Sequence, residues 1–172
     1  ILLDTPLLLT EELERIVDFH KKKVEILDCT FAADGTPNAL RDAIENLRAQ
    51  AEEAFEEGKS EFVITDEFVD ADRVAIPMIL AVGAIHNHMV RKGWRKRVSL
   101  LVRSAECMDA HHFAVLIGNG ATVVNPFGAE ATILERIAQG IYKNISAEKA
   151  LENFKYAMSQ GLLKIMSKMG IS

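Results

Sequence analysis

Residues 75–126 constrain the fold more than any other stretch, because apolar patterns of helical length alternate there with short apolar runs of strand length. The first helix of this stretch, residues 74–90, is too short and too interrupted to span a membrane, and we interpret it as buried on several sides. Pro77 suits its first turn, and Gly93 ends it. A strand at 97–102, a helix at 108–117 ended by Gly118 and a strand at 121–124 follow. A strand, a helix and a second strand joined by short loops predict that the two strands are parallel and that the crossover is right-handed.

The rest of the chain repeats this alternation. Strands at residues 24–30 and 61–65 each precede a helix, so the sequence predicts four βα units, about half of a closed eightfold barrel. The strands are continuous apolar runs, as expected when helices cover both faces of a sheet. We therefore predict an α/β fold: a four-stranded parallel sheet with flanking helices, a reduced, half TIM-barrel-like arrangement.

Start signals bound the remaining helices. Thr10 is predicted to cap the first helix, Thr36 the second with Pro37 at its first position, and Ser146 the last. The other assignments are a helix at residues 129–139 and polar loops at residues 31–34 and 66–70.

Length and the apolar ends bear on domain organisation. The 172 residues, 49% of them apolar, predict a single domain with a proper core. A lead-in at residues 1–9 and the end of the C-terminal helix (146–172) are apolar and lie outside the four βα units. We predict that these ends either cause self-association or leave the last few residues disordered. The start has no initiator Met, and we interpret the chain as a fragment of a larger multidomain protein.

Charge and cysteine content exclude several classes of function. The net charge of −5 argues against a general nucleic-acid binder. Cys29 and Cys107 lack CxxC spacing, which favours reduced thiols and a cytoplasmic location. The sequence has neither a signal-peptide pattern nor an apolar run long enough to cross a membrane, so no membrane partner is expected.

Polar side chains follow the predicted strands, where ligands bind in parallel α/β folds. The same residue types also satisfy backbone amides in ordinary strand-to-helix turns, so both a small-molecule site and plain turn chemistry remain open. The candidates are Asp28, Cys29, Thr30, Thr65, Asp66, Glu67, Arg103, Ser104, Glu106 and Asn125.

Two histidine pairs suggest a metal site, but their spacing argues against it. His86 and His88 are two residues apart and His111 and His112 are adjacent, so the side chains of each pair diverge on a helix. One histidine from each helix could still join Cys29, Cys107 or Asp109. We favour buried or half-buried imidazoles hydrogen-bonded between helices, and predict no metal site.

Two other patterns have plain interpretations. Gly118-Asn119-Gly120 precedes a strand, whereas a nucleotide-binding glycine motif follows one, so we interpret it as a helix stop. Five basic residues surround Trp94, and a phosphate or RNA patch is one interpretation; cations at a helix C-terminus is the favoured one. Trp94 is then a surface anchor or a lid on the core. The five are Arg91, Lys92, Arg95, Lys96 and Arg97.

Three segments resemble a known family: IPMILAVGAIHNHMVRKGWR, HHFAVLIGNGATVVNPF and the closing LLKIMSKMGIS. They are similar to the central domain of the glutamate synthase large subunit, and the resemblance covers about residues 6–172. The sequence departs from that family's usual pattern at three places. Asn87 interrupts three consecutive histidines, Arg103 replaces a glutamate and Asn119 replaces a tyrosine.

The resemblance implies a role rather than a reaction of the chain's own. In that family this domain joins the glutamine amidotransferase domain to the FMN-binding synthase domain. The resemblance therefore implies these two domains as its partners. The whole enzyme forms glutamate from glutamine and 2-oxoglutarate with FMN and an iron–sulfur cluster. This segment is then scaffold and part of the internal ammonia passage, without catalytic, cofactor-binding or metal-binding residues, and inactive alone. The alternative is a free-standing small-molecule-binding module that uses the strand ends.

Overall fold

The computed structural model describes residues 3–171. Its helices are α1 (Thr10–Phe19), α2 (Ala39–Glu56), α3 (Met78–Arg91), α4 (Ala110–Gly118), α5 (Phe127–Ala138) and α6 (Ala147–Met169). Its strands are β1 (Val24–Asp28), β2 (Thr30–Ala32), β3 (Glu61–Thr65), β4 (Arg73–Ala75), β5 (Ser99–Arg103) and β6 (Val123–Asn125). None of the described helices combines the length and the apolarity that crossing a bilayer requires.

The main sheet has the order β1-β3-β5-β6, and every neighbouring pair is parallel. Strands that are neighbours in space are therefore consecutive βα units in the chain, which is the strand order of an eightfold barrel. The predicted fold class, a four-stranded parallel sheet with flanking helices in an α/β domain, is confirmed.

The two faces of this sheet are covered unequally. One face packs against α2, α3 and α4 in a large core that includes Leu47, Ile85 and Phe113. The other face packs against α1, whose Leu13 contacts a smaller cluster with Val63. The prediction that helices cover both faces is thus confirmed, and the three crossover helices α2, α3 and α4 all lie on the face opposite α1.

The amino-terminal segment extends the sheet. The amide of Leu8 donates to the carbonyl of Val124 at 3.0 Å, and the amide of Val124 donates to the carbonyl of Pro6 at 2.8 Å. Leu7 belongs to the large core and Leu8 to the smaller one, and they are 2% and 3% exposed. The expectation that residues 1–9 lie outside the units that can bury them is wrong for these two leucines, because the segment pairs with β6.

The carboxyl-terminal helix is packed on one side only. α6 contacts α4 and α5, and Leu162 is buried among them. Leu163, Met169 and Ile171 remain exposed, as the apolar end of the sequence predicted. Self-association through this end stays a prediction.

Two short strands and several helix starts differ from the prediction. β2 and β4 form a separate antiparallel pair. Thr30 therefore belongs to β2 and not to the first predicted strand, and Val74 belongs to β4 and not to the predicted helix. Three-residue strands are too short to show a periodicity, and this explains the error. Pro77 consequently occupies the N-cap position of α3 and not its first turn.

The predicted threonine caps are wrong. α1 is capped at Leu9, whose amide donates to the Glu12 carboxylate at 2.8 Å, and Thr10 is the first helical residue. α2 is capped by Asn38 in a left-handed conformation instead of by Thr36. The Ser146 cap is confirmed, because its hydroxyl accepts from the amide of Lys149 at 3.2 Å. Strand and helix ends elsewhere shift by one to three residues, as is usual for boundaries.

Candidate functional site

The carboxyl ends of the four parallel strands place one polar residue each in a single row. Asp28 lies beside Thr65, Thr65 beside Arg103, and Arg103 beside Asn125 in the register of the sheet. We call these residues the strand-end row. Side chains alternate along a strand, so the row lies on the α1 face, two residues beyond the apolar side chains that contact α1. The structure thus brings together four of the candidates predicted from sequence.

Asp28 is held by the small antiparallel sheet. Its carboxylate accepts from the hydroxyl of Thr30 at 2.8 Å and from the guanidinium of Arg73 at 2.7 Å. Arg73 also donates to the Thr30 hydroxyl at 2.7 Å. The sequence prediction missed Arg73, because its pairing with Asp28 depends on β2 and β4. This end of the row fixes β4 against β1 and leaves Asp28 with a cationic partner.

Asp66, directly after Thr65, holds the loop that follows β5. Asp66 is 3% exposed, and its carboxylate accepts from the hydroxyl of Ser104 at 2.7 Å and the amide of Ala105 at 2.9 Å. Burial raises the pKa of Asp66 above its ordinary value. The chain of contacts continues to α3, because Glu106 accepts from the amide of Met78 at 3.0 Å. Asp66 and Glu106, two of the predicted site residues, therefore bind backbone amides of the loop after β5 and of the start of α3.

Arg103, at the centre of the row, is surrounded by carboxylates and an aromatic ring. Its guanidinium donates to Glu67, lies 3.9 Å from the carboxylate of Glu14 and sits 5.4 Å from the centre of the Phe127 ring. Arg103 and Glu67 border a crevice of about 180 Å³ whose walls include Ile26. With two acidic neighbours, Arg103 is poorly placed to bind an anionic ligand.

Asn125 closes the row in a buried network. Its amide nitrogen donates to the carbonyl of Leu8 at 3.0 Å and to the carboxylate of Glu130 at 2.7 Å. Glu130, which is 6% exposed, also accepts from the amide of Thr10 at 3.0 Å. Burial raises the pKa of Glu130. Sequence analysis missed Glu130, although a carboxylate between alanines in the first turn of a helix is a usable signal of a buried cap.

The buried carboxyls give a pH prediction with a definite sign. Because the pKa values of Asp66 and Glu130 are raised in the folded state, the folded chain binds their protons more readily than the unfolded chain. Their contribution to the free energy of unfolding therefore falls as pH rises from the ordinary carboxyl pKa, about 4, through the raised values. We expect Glu130→Gln to reduce this fall in urea-unfolding series across that range. Glu14→Gln, at an exposed carboxyl, is the control, and equal slopes in both variants would contradict the assignment.

The histidines do not converge. His88 lies 2.9 Å from the Glu52 carboxylate of α2, as expected for an imidazole that links two helices. His86 accepts from Arg95, which lies in the segment between α3 and β5. His111 and His112 are exposed, so the expectation of burial is wrong for this pair. Within residues 3–171, no three or more His, Cys, Asp or Glu side chains are arranged to hold a metal ion.

The two cysteines lie in the large core and are free thiols. Burial, with a smaller contribution from Asp109, raises the pKa of Cys107 to about 12, and burial raises the pKa of Cys29 further. A thiol with such a pKa is not a thiolate at neutral pH, so neither is an activated nucleophile.

The basic cluster is part of an aromatic stack. Trp94 stacks on Phe55 with ring centres 4.3 Å apart, and both rings contact the large core. Lys92 lies over Trp94 and Arg97 over Phe55. Of the two roles considered for Trp94, the lid on the core is the one the structure supports. The cations lie at the C-terminal end of α3 and directly after it, which agrees with the favoured interpretation of the cluster.

Comparisons with known proteins give one consistent result. A family model described as the glutamate synthase central domain matches residues 1–172. The chain is 46% identical over 170 residues to the glutamate synthase [NADPH] large chain of Azospirillum brasilense, covering 99% of this chain and 11% of that protein. It is 38% identical over 173 residues to the large chain from Bacillus subtilis (98% and 11%). It is 34% identical over 181 residues to the ferredoxin-dependent glutamate synthase of Pyropia yezoensis (99% and 12%). The chain thus spans about a tenth of the length of these relatives.

Proposed function

This chain belongs to the family of glutamate synthase central domains, and from that premise we propose that it is the connecting domain of a large chain that makes L-glutamate. The substrates of the whole enzyme are L-glutamine and 2-oxoglutarate. FMN and an iron–sulfur cluster belong to one neighbouring domain, and glutamine hydrolysis belongs to the other. Within that enzyme the domain is a scaffold between the amidotransferase and FMN-binding domains, which are its partners, and it forms part of the wall of the ammonia passage.

The observation that supports the scaffold role is that the side chains of the strand-end row are already engaged within the domain. In eightfold barrels the carboxyl ends of the strands hold catalytic residues. Here the corresponding side chains bind other side chains of the same domain: Asp28 binds Arg73, Arg103 binds Glu67, and Asn125 binds Glu130. Groups that are occupied in this way stabilise the domain, and this supports a structural function better than the alternative of a small-molecule site.

The scaffold role is tested in the complete large chain by separating its two half-reactions. We expect Arg103→Leu to preserve glutamate formation from added ammonia, because the Arg103 guanidinium is already engaged by Glu67, Glu14 and the Phe127 ring. Glutamate formation from ammonia and glutamine hydrolysis are measured separately, with flavin content and circular dichroism as folding controls. Loss of the ammonia-dependent reaction in a folded, flavin-loaded variant would assign Arg103 a direct part in the chemistry and contradict the scaffold role.

The passage role needs a different readout. If the domain walls an internal ammonia passage, disturbing its packing should release ammonia to solvent. We expect Gly128→Ala in the complete enzyme to lower the ratio of glutamate formed to glutamine hydrolysed, because the added methyl displaces the loop after β5. Gly118→Ala, which meets nothing, should keep the ratio. An unchanged ratio in Gly128→Ala, with ammonia still retained, would argue against a passage along this domain.

The 172-residue chain by itself should fold without cofactor and lack activity. We expect no flavin absorbance and no glutamate formation from glutamine and 2-oxoglutarate, because its polar strand ends are already engaged and its thiols are buried. Absorption spectra and elemental analysis of the purified chain check this. One equivalent of bound flavin or metal would be the opposite result.

A further inference from the structure

Arg95 joins three separate parts of the chain through one guanidinium. Its Nε donates to Nδ1 of His86 at 3.0 Å, on α3. Its two terminal nitrogens donate to the carbonyls of Val98 and Gly120, each at 2.6 Å. Val98 lies directly before β5, and Gly120 lies in the turn between α4 and β6. Arg95 therefore fixes this turn, residues 118–122, against α3.

Gly120 allows the imidazole to lie directly on the turn. Its φ of +113° is a conformation that residues with a side chain rarely adopt. A Cβ at this position would collide with Nδ1 and Cγ of His86. Backbone, imidazole and guanidinium thus form one closely packed contact, and any change at His86 is transmitted to the turn.

We propose that His86, Arg95 and Gly120 form a pH-sensitive latch that holds the α4–β6 turn against α3 while His86 is neutral and releases it when the imidazole is protonated. The hydrogen bond from Arg95 requires a lone pair on Nδ1, so the proton of neutral His86 resides on Nε2. Protonation puts an N–H where the acceptor was and places a second positive charge beside the guanidinium. The hydrogen bond is then lost, and like charges face each other.

The groups around His86 do not stabilise a positively charged imidazole. From α4 and its turn the neutral Asn119 approaches α3, with its amide oxygen near Gly83. On α3 itself, Asn87 is uncharged and His88 is engaged with Glu52 of α2. Within residues 3–171, no carboxylate lies within 4 Å of His86 to compensate a positive imidazole. Arg95 is therefore the charged group in contact with the His86 ring.

Burial, together with the charge of Arg95, lowers the pKa of His86 below its ordinary value. As pH falls through the ordinary histidine pKa, about 6.5, an opened or unfolded state takes up the proton before the latched state does. The stabilisation by the latch is therefore complete above that pH and is lost below it, down to the lowered pKa of the latched state.

Hydrogen exchange of the turn tests the latch. The amides of Gly120, Ala121 and Thr122 donate to backbone carbonyls in the closed turn, so their exchange reports opening. After correction for intrinsic rates, we expect their protection in the 172-residue chain to fall between about pH 7 and about pH 5, by up to tenfold per pH unit, the limit for one proton. Constant protection over this range would overturn the proposal.

His86→Asn is the decisive variant, because the asparagine Oδ1 takes the place of Nδ1 and does not titrate. We expect its turn to keep its protection at acidic pH. His111→Asn removes an exposed histidine and should retain the wild-type pH dependence. His86→Ala should exchange faster at all pH values in this range. If His86→Asn opens with pH as the wild type does, the titrating group lies elsewhere and the latch is refuted.

Discussion

Gly128→Ala is expected to lower the free energy of unfolding by about 3 kcal/mol, the upper part of the usual range for overpacking. A Cβ on Gly128 would lie 2.8 Å from both the Cα and the carbonyl oxygen of Ala105. These are backbone atoms, and the amide of Ala105 is fixed by the buried carboxylate of Asp66 at 2.9 Å. The loop cannot move away from Gly128 without disturbing that hydrogen bond. Urea unfolding followed by circular dichroism measures the change.

Gly118→Ala is the matched control for that substitution. Gly118 is the last residue of α4, and a Cβ there would meet nothing within 4 Å. Alanine in place of glycine within a helix gains about 0.5–1 kcal/mol, so the two substitutions should have opposite signs. If the two substitutions change the free energy of unfolding equally, the close contact between α5 and the loop after β5 is not the cause of the destabilisation in Gly128→Ala.

Truncation of the amino-terminal leucines should have an effect of similar size. Leu7→Ala and Leu8→Ala are each expected to cost about 2–5 kcal/mol, the range for large-to-small substitutions in a core. The two side chains lie in different cores on opposite faces of the sheet, so each variant tests one face.

Leu3→Ala provides the comparison for these leucines. Leu3 is 38% exposed and belongs to neither core, so its truncation should change the free energy of unfolding by less than about 0.5 kcal/mol. Thermal or urea unfolding of the three variants is the measurement. Equal, small effects for all three would show that the segment before α1 is not part of the folded core.

The main sheet could be predicted because its strands and crossover helices carry their own signals. β3 has the predicted bounds, residues 61–65, since five residues rich in apolar side chains lie between a glycine and an acidic loop. The apolar run of α3 also predicted its burial. β2 and β4 gave no comparable signal, because their stability comes from each other and from the contact of Arg73 with Asp28.

The strand-end residues were predicted by position, but their partners were not. Asp28, Asp66 and Asn125 follow strands and could be found in this way. Glu130 binds the amide of Thr10 across 120 positions of sequence, and such a pairing leaves no periodic trace in the chain. The same reason explains why Leu7 was assigned to an unpacked lead-in, since its partner strand β6 is more than a hundred residues away.

The extension of the sheet by residues 6–8 has a consequence for synthesis on the ribosome. Within this domain, these residues and α1 leave the ribosome before the rest, yet they dock on β6, near the 124th residue. Until then Leu8 and Leu13 have no β6 to pack on, and the α1 face of β3 and β5 is incompletely covered. Loop closure over such a distance is entropically costly and slows folding. The segment of this domain that is made first is therefore among its last to fold, and a chaperone that binds nascent apolar segments would bind there.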